Sequence, residues 1–159
     1  MLREHGIDHV KVEPLAQRLG VTKGSFYWHF KNRQDLLKSL PEFWARRQTD
    51  PVLAHVQAAP GGPIDKMRSI LEFIAREDPD QYDNAMRAWA QFDPEVAAAV
   101  AAIDDRRMAT ARWLFEEAGL SAPDAAFRAR LWYFYDVGEH VTRDTPDTVE
   151  ERLERAAHR

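Results

Sequence analysis

The residues best suited to binding chemistry lie in one short run, residues 22–29, which reads Thr-Lys-Gly-Ser-Phe-Tyr-Trp-His. If Thr22 caps a helix that begins at Lys23, that helix presents free amides, a hydroxyl and a lysine at its positive end. Such an end suits phosphate oxygens and the acceptor-rich edges of bases in a DNA major groove. The small residues Gly24 and Ser25 allow close approach, so the run indicates nucleic-acid binding.

Metal binding and catalysis find little support in the sequence. His5 and His9 are four residues apart, as metal ligands on a helix would be, but Gly6 lies between them and no third ligand is near in sequence. Two pairs of adjacent acids lie on a predicted amphipathic helix, Asp104 with Asp105 and Glu116 with Glu117. Adjacent acids usually form a solvated face, and no nucleophile with a matching base is present. We expect no enzyme activity, no metal and no cofactor.

Arg107 interrupts an otherwise apolar helical stripe that runs from Val96 to Leu114. Two interpretations remain open. It pairs with an acid, namely Asp104, Asp136 or Glu139, or it points into a cavity and binds an acidic effector. We favour the ion pair. The aromatic residues of this region fit a core better than a pocket, although a cavity lined by them would suit an apolar effector. The candidate effector residues are Met86, Trp89, Phe92, Arg107, Trp113 and Trp132.

These residues must be positioned by helices, because helix-period apolar stripes recur along the chain and no convincing strand pattern is present. We predict an all-α fold. One short helix carries Val12, Leu15, Ala16 and Leu19 and ends at Gly20, a second covers 23–30, and a third begins after Asn32. The segment 58–63 is rich in Pro and Gly and is the strongest break. Further helices are expected over 64–74, 82–89, 94–118, 123–140 and 146–159. The fourth of these is apolar nearly all round, which suggests a partner subunit.

Composition and charge bound the class of protein. Hydrophobic residues make up 45% of the 159 residues and charged residues 30%, which is typical of a globular chain. There is no cysteine, so disulfides and thiolate metal sites are excluded, and we expect a cytoplasmic protein that does not enter a membrane. Residues 1–47 carry nine Lys and Arg against five Asp and Glu, a net charge of +4, while the rest of the chain carries −8. A basic head on an acidic body is expected when one end meets a polyanion.

The head resembles a known family. The run Leu19-Gly-Val-Thr-Lys-Gly-Ser-Phe-Tyr-Trp-His-Phe-Lys-Asn-Arg-Gln-Asp-Leu-Leu, preceded by Val12-Glu-Pro-Leu-Ala, is similar to the helix-turn-helix of the TetR family of transcriptional regulators. The close match covers residues 6 to about 44. A weaker similarity of Arg87-Ala-Trp89, Asp93-Pro94, residues 104–107 and Gly119 to ligand-domain helices extends the resemblance over most of the chain.

The resemblance implies which residues contact DNA. Residues at the helix start would face the duplex, aromatic and imidazole groups would contact backbone or base edges, and basic residues would bind phosphates before the next helix. The implied set is Thr22, Lys23, Gly24, Ser25, Tyr27, His29, Lys31 and Arg33. Phe26 and Phe30 would pack inward, and Trp28 would be shared between core and surface. The chain departs from the family at Glu13, where an arginine often touches phosphate, and at Lys11, where a capping hydroxyl is common.

The family's first helix is represented by Met1–His5 alone. Its absence would uncover Leu15, Leu36 or Leu40. We therefore predict a helix-turn-helix DNA-binding domain over 1–47, a connecting helix end and linker over 48–62, and a helical effector-binding and dimerisation domain over 63–159. The expected protein is a homodimeric repressor that binds a palindromic operator in double-stranded DNA and is released by a small molecule. The alternative is a helical dimerisation or small-molecule-binding module that has lost DNA binding.

Overall fold

The computed structural model describes residues 1–77 and 82–142, and these residues form helices and no strand. The helices are α1 (Leu2–His5), α2 (Val12–Leu19), α3 (Lys23–His29), α4 (Arg33–Trp44), α5 (Asp50–Ala58), α6 (Pro63–Glu77), α7 (Asp83–Ala90), α8 (Pro94–Glu117) and α9 (Ala122–Thr142). A short 3-10 turn occupies Ile7–His9, and a π-helical turn occupies Ala45–Thr49 between α4 and α5. The predicted all-α class is confirmed.

Local signals in the sequence place the boundaries of the first helices. Gly20 ends α2 in the left-handed conformation, with φ 65° and ψ 27°, and the amide of Val21 returns to the carbonyl of Ala16 at 3.0 Å. The Thr22 hydroxyl accepts the amide of Ser25 at 3.2 Å and caps α3. The Asn32 side chain accepts the backbone amide of Asp35 in the same way and caps α4. The three predicted boundaries are confirmed. They could be predicted because each depends on residues close in sequence.

The described residues divide into two compact units. The first contains residues 1–46 with 82–101, and the second contains residues 47–77 with 102–142, so the boundary falls within α8. The first therefore includes α7, which the sequence assigned to the effector domain. The functional assignment of the ranges 1–47, 48–62 and 63–159 stays a prediction.

The first unit has a buried centre that includes one hydrogen bond to a carboxylate. Its buried apolar residues are Val10, Val12, Ala16, Phe26, Leu36, Leu37, Trp44, Met86, Trp89, Val96 and Val100. The indole nitrogen of Trp44, on α4, donates to Asp83 Oδ1 on α7 at 2.8 Å. Both side chains are buried, so this bond joins two helices that are 39 residues apart in sequence.

The start of the chain is tied into the first unit. Helix α1 contacts α7. Arg18, on α2, donates through both terminal nitrogens to the carboxylate of Glu4 on α1, at 2.8 Å for the Nη2–Oε1 bond. The expected uncovering of apolar residues is wrong for Leu36, which is 9% exposed, while Leu15 and Leu40 are half-buried. The short first helix is thus anchored by polar contacts.

The second unit is built around α5, α6, α8 and α9. Val56, Ile70 and Leu114 form a buried cluster, with Val52, Met67, Ile74 and Trp132 packed against it. Trp132 meets the ring of Phe115 edge to face, with centroids 6.1 Å apart. Within the described ranges, no helix is both long enough and apolar enough to cross a bilayer. The expected helix over 146–159 lies outside the described residues.

Candidate nucleic-acid interface and ligand cavity

Helix α3 is held by one buried side chain and exposes the rest. Phe26 is 7% exposed and packs beneath the helix, with Phe30 beside it at 5.5 Å between ring centroids. The exposed residues of the helix and its cap are Thr22, Lys23, Gly24, Ser25, Tyr27, Trp28 and His29. A helix anchored on a single face in this way can enter a groove without losing its support.

The predicted DNA-binding residues of α3 therefore share one exposed surface, which also includes Trp28. Tyr27 is 55% exposed and Trp28 is 82% exposed, and the Trp28 indole stands edge-on to His29 at 4.6 Å between centroids. From the sequence, Trp28 was expected to be shared between core and surface. The apolar pattern of a seven-residue helix does not show which of its faces is buried. Its exposure identifies it as a candidate that sequence reasoning missed.

Lys23 and Lys31 differ in their contacts. The Lys23 ammonium donates to Glu13 Oε1 at 2.7 Å, and both side chains are about three-fifths exposed. This hydrogen bond lowers the pKa of Glu13 and raises the pKa of Lys23, and Tyr27 makes a smaller contribution to the latter. Lys31 is exposed, and its backbone amide donates to Asp35 Oδ2 at 3.0 Å. Lys23, Tyr27 and Glu13 therefore lie near one another at the start of α3.

Arg33 is placed differently from the expectation that it binds phosphate. Its Nε donates to the carbonyl of Val10 at 2.6 Å, and its Nη2 donates to the carbonyl of Ile7 at 2.8 Å. The side chain is half-buried. A guanidinium used in this way positions the segment before α2. Sequence reasoning could not find this contact, because the partners are 23 and 26 residues away.

The two histidines near the start of the chain also have local contacts. Nδ1 of His9 lies 2.6 Å from the carbonyl oxygen of His5, and the rings are 5.6 Å apart. No group of three metal-ligating side chains is found among residues 1–77 and 82–142.

A cavity opens in the second unit, with about 580 Å³ of empty space that includes space open to solvent. Four helices contribute to its wall, which is mostly apolar. The lining residues are Val52, Leu53, Ile70, Leu71, Ile74, Arg107, Thr110, Ala111, Trp132, Tyr133 and Asp136. This arrangement of apolar walls with a few polar groups is typical of a small-molecule site.

The candidate effector residues do not form one group. Arg107 and Trp132 line the cavity, whereas Trp113 is absent from its wall and is 38% exposed beneath the Lys66 ammonium, 5.2 Å from the ring centroid. Met86 and Trp89 are buried in the first unit, and Phe92 is 88% exposed. The spacing of aromatic residues in sequence does not show which helices share a wall.

The polar groups near the cavity have further partners. Arg107 Nε donates to the hydroxyl of Thr49 at 3.1 Å, a contact that the sequence did not suggest. The Tyr133 hydroxyl donates to Asp104 Oδ1 at 2.5 Å. Of the proposed acidic partners of Arg107, Asp136 lies in the cavity wall, and the side chain of Glu139 lies outside the described residues. Asp136 and Thr110 are cavity residues that the sequence did not assign as effector ligands.

Two short helices joined at Gly20, with the second exposed along its outer face, define a helix-turn-helix protein. Residues 1–40 match the family described as "Bacterial regulatory proteins, tetR family". This match falls on the residues that carry the resemblance to the TetR family of transcriptional regulators, and it supports that resemblance for the head of the chain.

Several curated proteins are similar to this chain. The HTH-type transcriptional regulator AcrR of Shigella flexneri is 30% identical over 71 residues, 45% of this chain and 33% of the relative. The class G tetracycline repressor of Vibrio anguillarum is 42% identical over 48 residues, 30% of this chain and 23% of the relative. The class C tetracycline repressor of Escherichia coli is 28% identical over 97% of this chain and 66% of the relative.

The chain thus spans less than two thirds of the length of each of these relatives. The residues that match the family model, 1–40, contain α2 and α3. The relatives are named as a transcriptional regulator and as tetracycline repressors.

Proposed function

We propose that this protein is a homodimeric transcriptional repressor that binds a palindromic DNA operator through α3 and is released by a small-molecule effector. The observation that carries the proposal is the exposed outer surface of α3, supported from beneath by Phe26. The family supports DNA binding as the general activity.

The chemistry of α3 suits a major groove. Lys23 and Ser25 supply donors at the start of the helix, Tyr27 and His29 supply groups that bond to phosphate or base edges, and Gly24 lets the backbone come close. Trp28 adds an apolar surface for sugar or thymine methyl groups. Lys31 follows as a phosphate ligand. Arg33 acts by positioning the segment before α2, so we exclude it from the contact set.

A second copy of the chain is the proposed partner of α9. Phe127, Leu131, Phe134 and Val141 are between 54% and 64% exposed, and their spacings of four, three and seven residues place them on one face. That stripe extends over roughly 21 Å of helix. The three-four spacing is the repeat of helices that pack side by side, so this face suits packing against the same face of a second copy about a twofold axis.

Operator selection tests the DNA-binding proposal. Purified protein is incubated with a pool of random duplexes, bound sequences are amplified, and the enriched duplex is measured by gel shift at about 50 mM and about 200 mM salt. We expect enrichment of an inverted repeat whose half-sites lie about one helical turn apart or a multiple of it. Affinity should fall steeply with salt. Absence of enrichment together with a well-folded dimer would favour the alternative, a module that does not read DNA.

Two substitutions assign the role of α3. Tyr27→Ala and Lys23→Ala should each weaken binding to the enriched duplex while leaving the dimer intact, since both side chains are exposed and distant in sequence from α9. Phe43→Ala is the matched control, because Phe43 is 51% exposed and lies late in α4. Loss of the dimer in either α3 variant, or equal loss of affinity in the control, would contradict this assignment.

One further substitution tests the α9 face. Leu131→Glu should convert the dimer into a monomer in sedimentation equilibrium, because two carboxylates would meet in an apolar contact. Binding to the inverted repeat should weaken with it, as each monomer then holds one half-site. Gln57→Glu adds the same charge at an exposed position on α5 and should leave the dimer unchanged. A Leu131→Glu protein that stays dimeric would refute the use of this face.

The cavity of the second unit is the proposed effector site. Its wall is apolar apart from a few polar groups that include Arg107, Thr110 and Asp136, so it suits a largely apolar molecule with a small polar part. An effector that binds more tightly to a conformation of the protein unable to hold the operator would release the DNA. By linkage, the operator must then weaken effector binding by the same factor.

A further inference from the structure

Glu13 and Lys23 form an ion pair at the start of the two helices of the turn. Glu13 lies in the first turn of α2 and Lys23 is the first residue of α3. The Lys23 Nζ to Glu13 Oε1 distance is 2.7 Å, and the side chains are 60% and 62% exposed respectively. Both groups are therefore accessible, and the contact is maintained without burial.

The pair occupies the surface that the proposed function assigns to DNA. Lys23 precedes Ser25 and Tyr27 on the exposed helix. A phosphate that approaches Lys23 competes with a carboxylate already in hydrogen-bond contact with it. In water that contact is weak, because both groups are solvated, so a phosphate can displace it. Displacement leaves the Glu13 carboxylate close to the polyanion.

We propose that Glu13 restrains DNA binding by holding the ammonium of Lys23, so that the chain binds DNA less tightly than its basic residues would allow. Glu13 is therefore an affinity-setting residue that acts through Lys23. This inference rests on the proposed function, since it concerns the strength of DNA binding at α3. The restraint falls on phosphate binding in general, so it lowers the occupancy of unrelated DNA as well as of the operator.

The ion pair and simple repulsion of the phosphates by Glu13 predict different effects on DNA affinity. If Glu13 acts through Lys23, removing its charge both ends repulsion of the phosphates and frees the ammonium. Without Lys23, removing the charge ends the repulsion alone. The effect of Glu13→Gln should therefore be larger when Lys23 is present, by about two- to fivefold, which is the range of an exposed ion pair.

Four proteins and one control test this difference. The proteins are the unaltered chain, Glu13→Gln, Lys23→Gln and the double variant, each measured by fluorescence anisotropy on the selected duplex and on a scrambled one. The control is Glu42→Gln, which removes the same charge from another exposed acid, one that lies 3.6 Å from Arg46. Circular dichroism at the working temperature confirms that each variant is folded.

We expect Glu13→Gln to bind both duplexes more tightly than the unaltered chain and Glu42→Gln to differ little from it. The slope of log affinity against log salt should become steeper in Glu13→Gln by up to about 0.9, because one more phosphate is fully neutralised. In the Lys23→Gln background the gain should shrink by the two- to fivefold factor given above, with no such change in slope.

The inference and the proposed function fail in different ways. Salt-dependent binding that is the same for Glu13→Gln and Glu42→Gln, or an equal gain with and without Lys23, would overturn the inference and leave DNA binding standing. Absence of salt-dependent binding in all folded variants would overturn both.

Discussion

Substitution of Arg33 separates a structural role from a DNA-binding role at one residue. The guanidinium donates to the carbonyls of Ile7 and Val10, at 2.8 Å and 2.6 Å, and it is half-buried. Hydrogen bonds that involve a charged group contribute about 1.5–3 kcal/mol each when protected from water. Because water reaches part of this side chain, we take about 1–1.5 kcal/mol for each bond. Arg33→Ala should therefore lower the free energy of unfolding by about 2–3 kcal/mol.

The assay is chemical unfolding in urea, followed by circular dichroism, with a thermal melt alongside. For a chain of this size, about 2–4 °C of Tm is lost for each kcal/mol, so the Tm should fall by roughly 4–12 °C. Lys31→Ala is the control, since Lys31 is exposed two residues earlier. It should change stability by less than about 0.5 kcal/mol.

DNA binding provides the second readout. Lys31→Ala should reduce the salt slope of binding by about 0.9, as expected for a lost phosphate contact. Arg33→Ala, measured well below its Tm, should keep the slope of the unaltered chain. The reasoning is refuted if Arg33→Ala is as stable as the unaltered chain and loses salt slope as Lys31→Ala does. That result would restore the phosphate role suggested by the sequence.

Three further substitutions test the structure elsewhere. Trp44→Phe removes the buried bond to Asp83 and should lower the free energy of unfolding by about 2–4 kcal/mol in urea melts; a loss below about 0.5 kcal/mol would contradict that bond. The hydrogen bond from Arg18 holds the pKa of Glu4 far below its usual value. The Glu4–Arg18 pair therefore contributes fully to stability at any pH above the pKa that Glu4 has in the unfolded chain. That contribution declines as the pH falls from there toward the pKa of Glu4 in the folded chain. The stability difference between the unaltered chain and Glu4→Gln should therefore shrink between about pH 7 and pH 3, and a difference independent of pH would refute the pairing. Ala111→Phe should fill part of the cavity and reduce the fluorescence gain of an anilinonaphthalene sulfonate probe, whereas an unchanged gain would show that the probe binds elsewhere.

Local sequence signals were sufficient for the framework of the head. The left-handed end at Gly20 and the caps at Thr22 and Asn32 depend on residues within a few positions, so their chemistry can be read directly. The same holds for the end of α8 before Gly119, which has φ 93°. Together these positions explain why the extent of α2, α3 and α4 could be predicted closely.

Contacts between distant segments could not be predicted from the same information. Trp89 and Trp132 both lie on apolar helices, yet one is buried in the first unit and the other lines the cavity of the second. The apolar period of a helix shows that a face is covered without showing what covers it. The grouping of Trp89 with Trp132 in one candidate pocket therefore had no support beyond their shared residue type.

The charge of the head shows the same limit with a functional consequence. A count of the nine Lys and Arg over residues 1–47 treats each basic side chain as available to a polyanion. Arg18 is paired with Glu4, Lys23 with Glu13, and Arg33 donates to backbone carbonyls. Arg46 also lies 3.6 Å from Glu42, so at least four of the nine basic residues are engaged within the head before DNA arrives. The number of phosphates that the head neutralises, and hence its salt dependence, should be smaller than a count of Lys and Arg indicates.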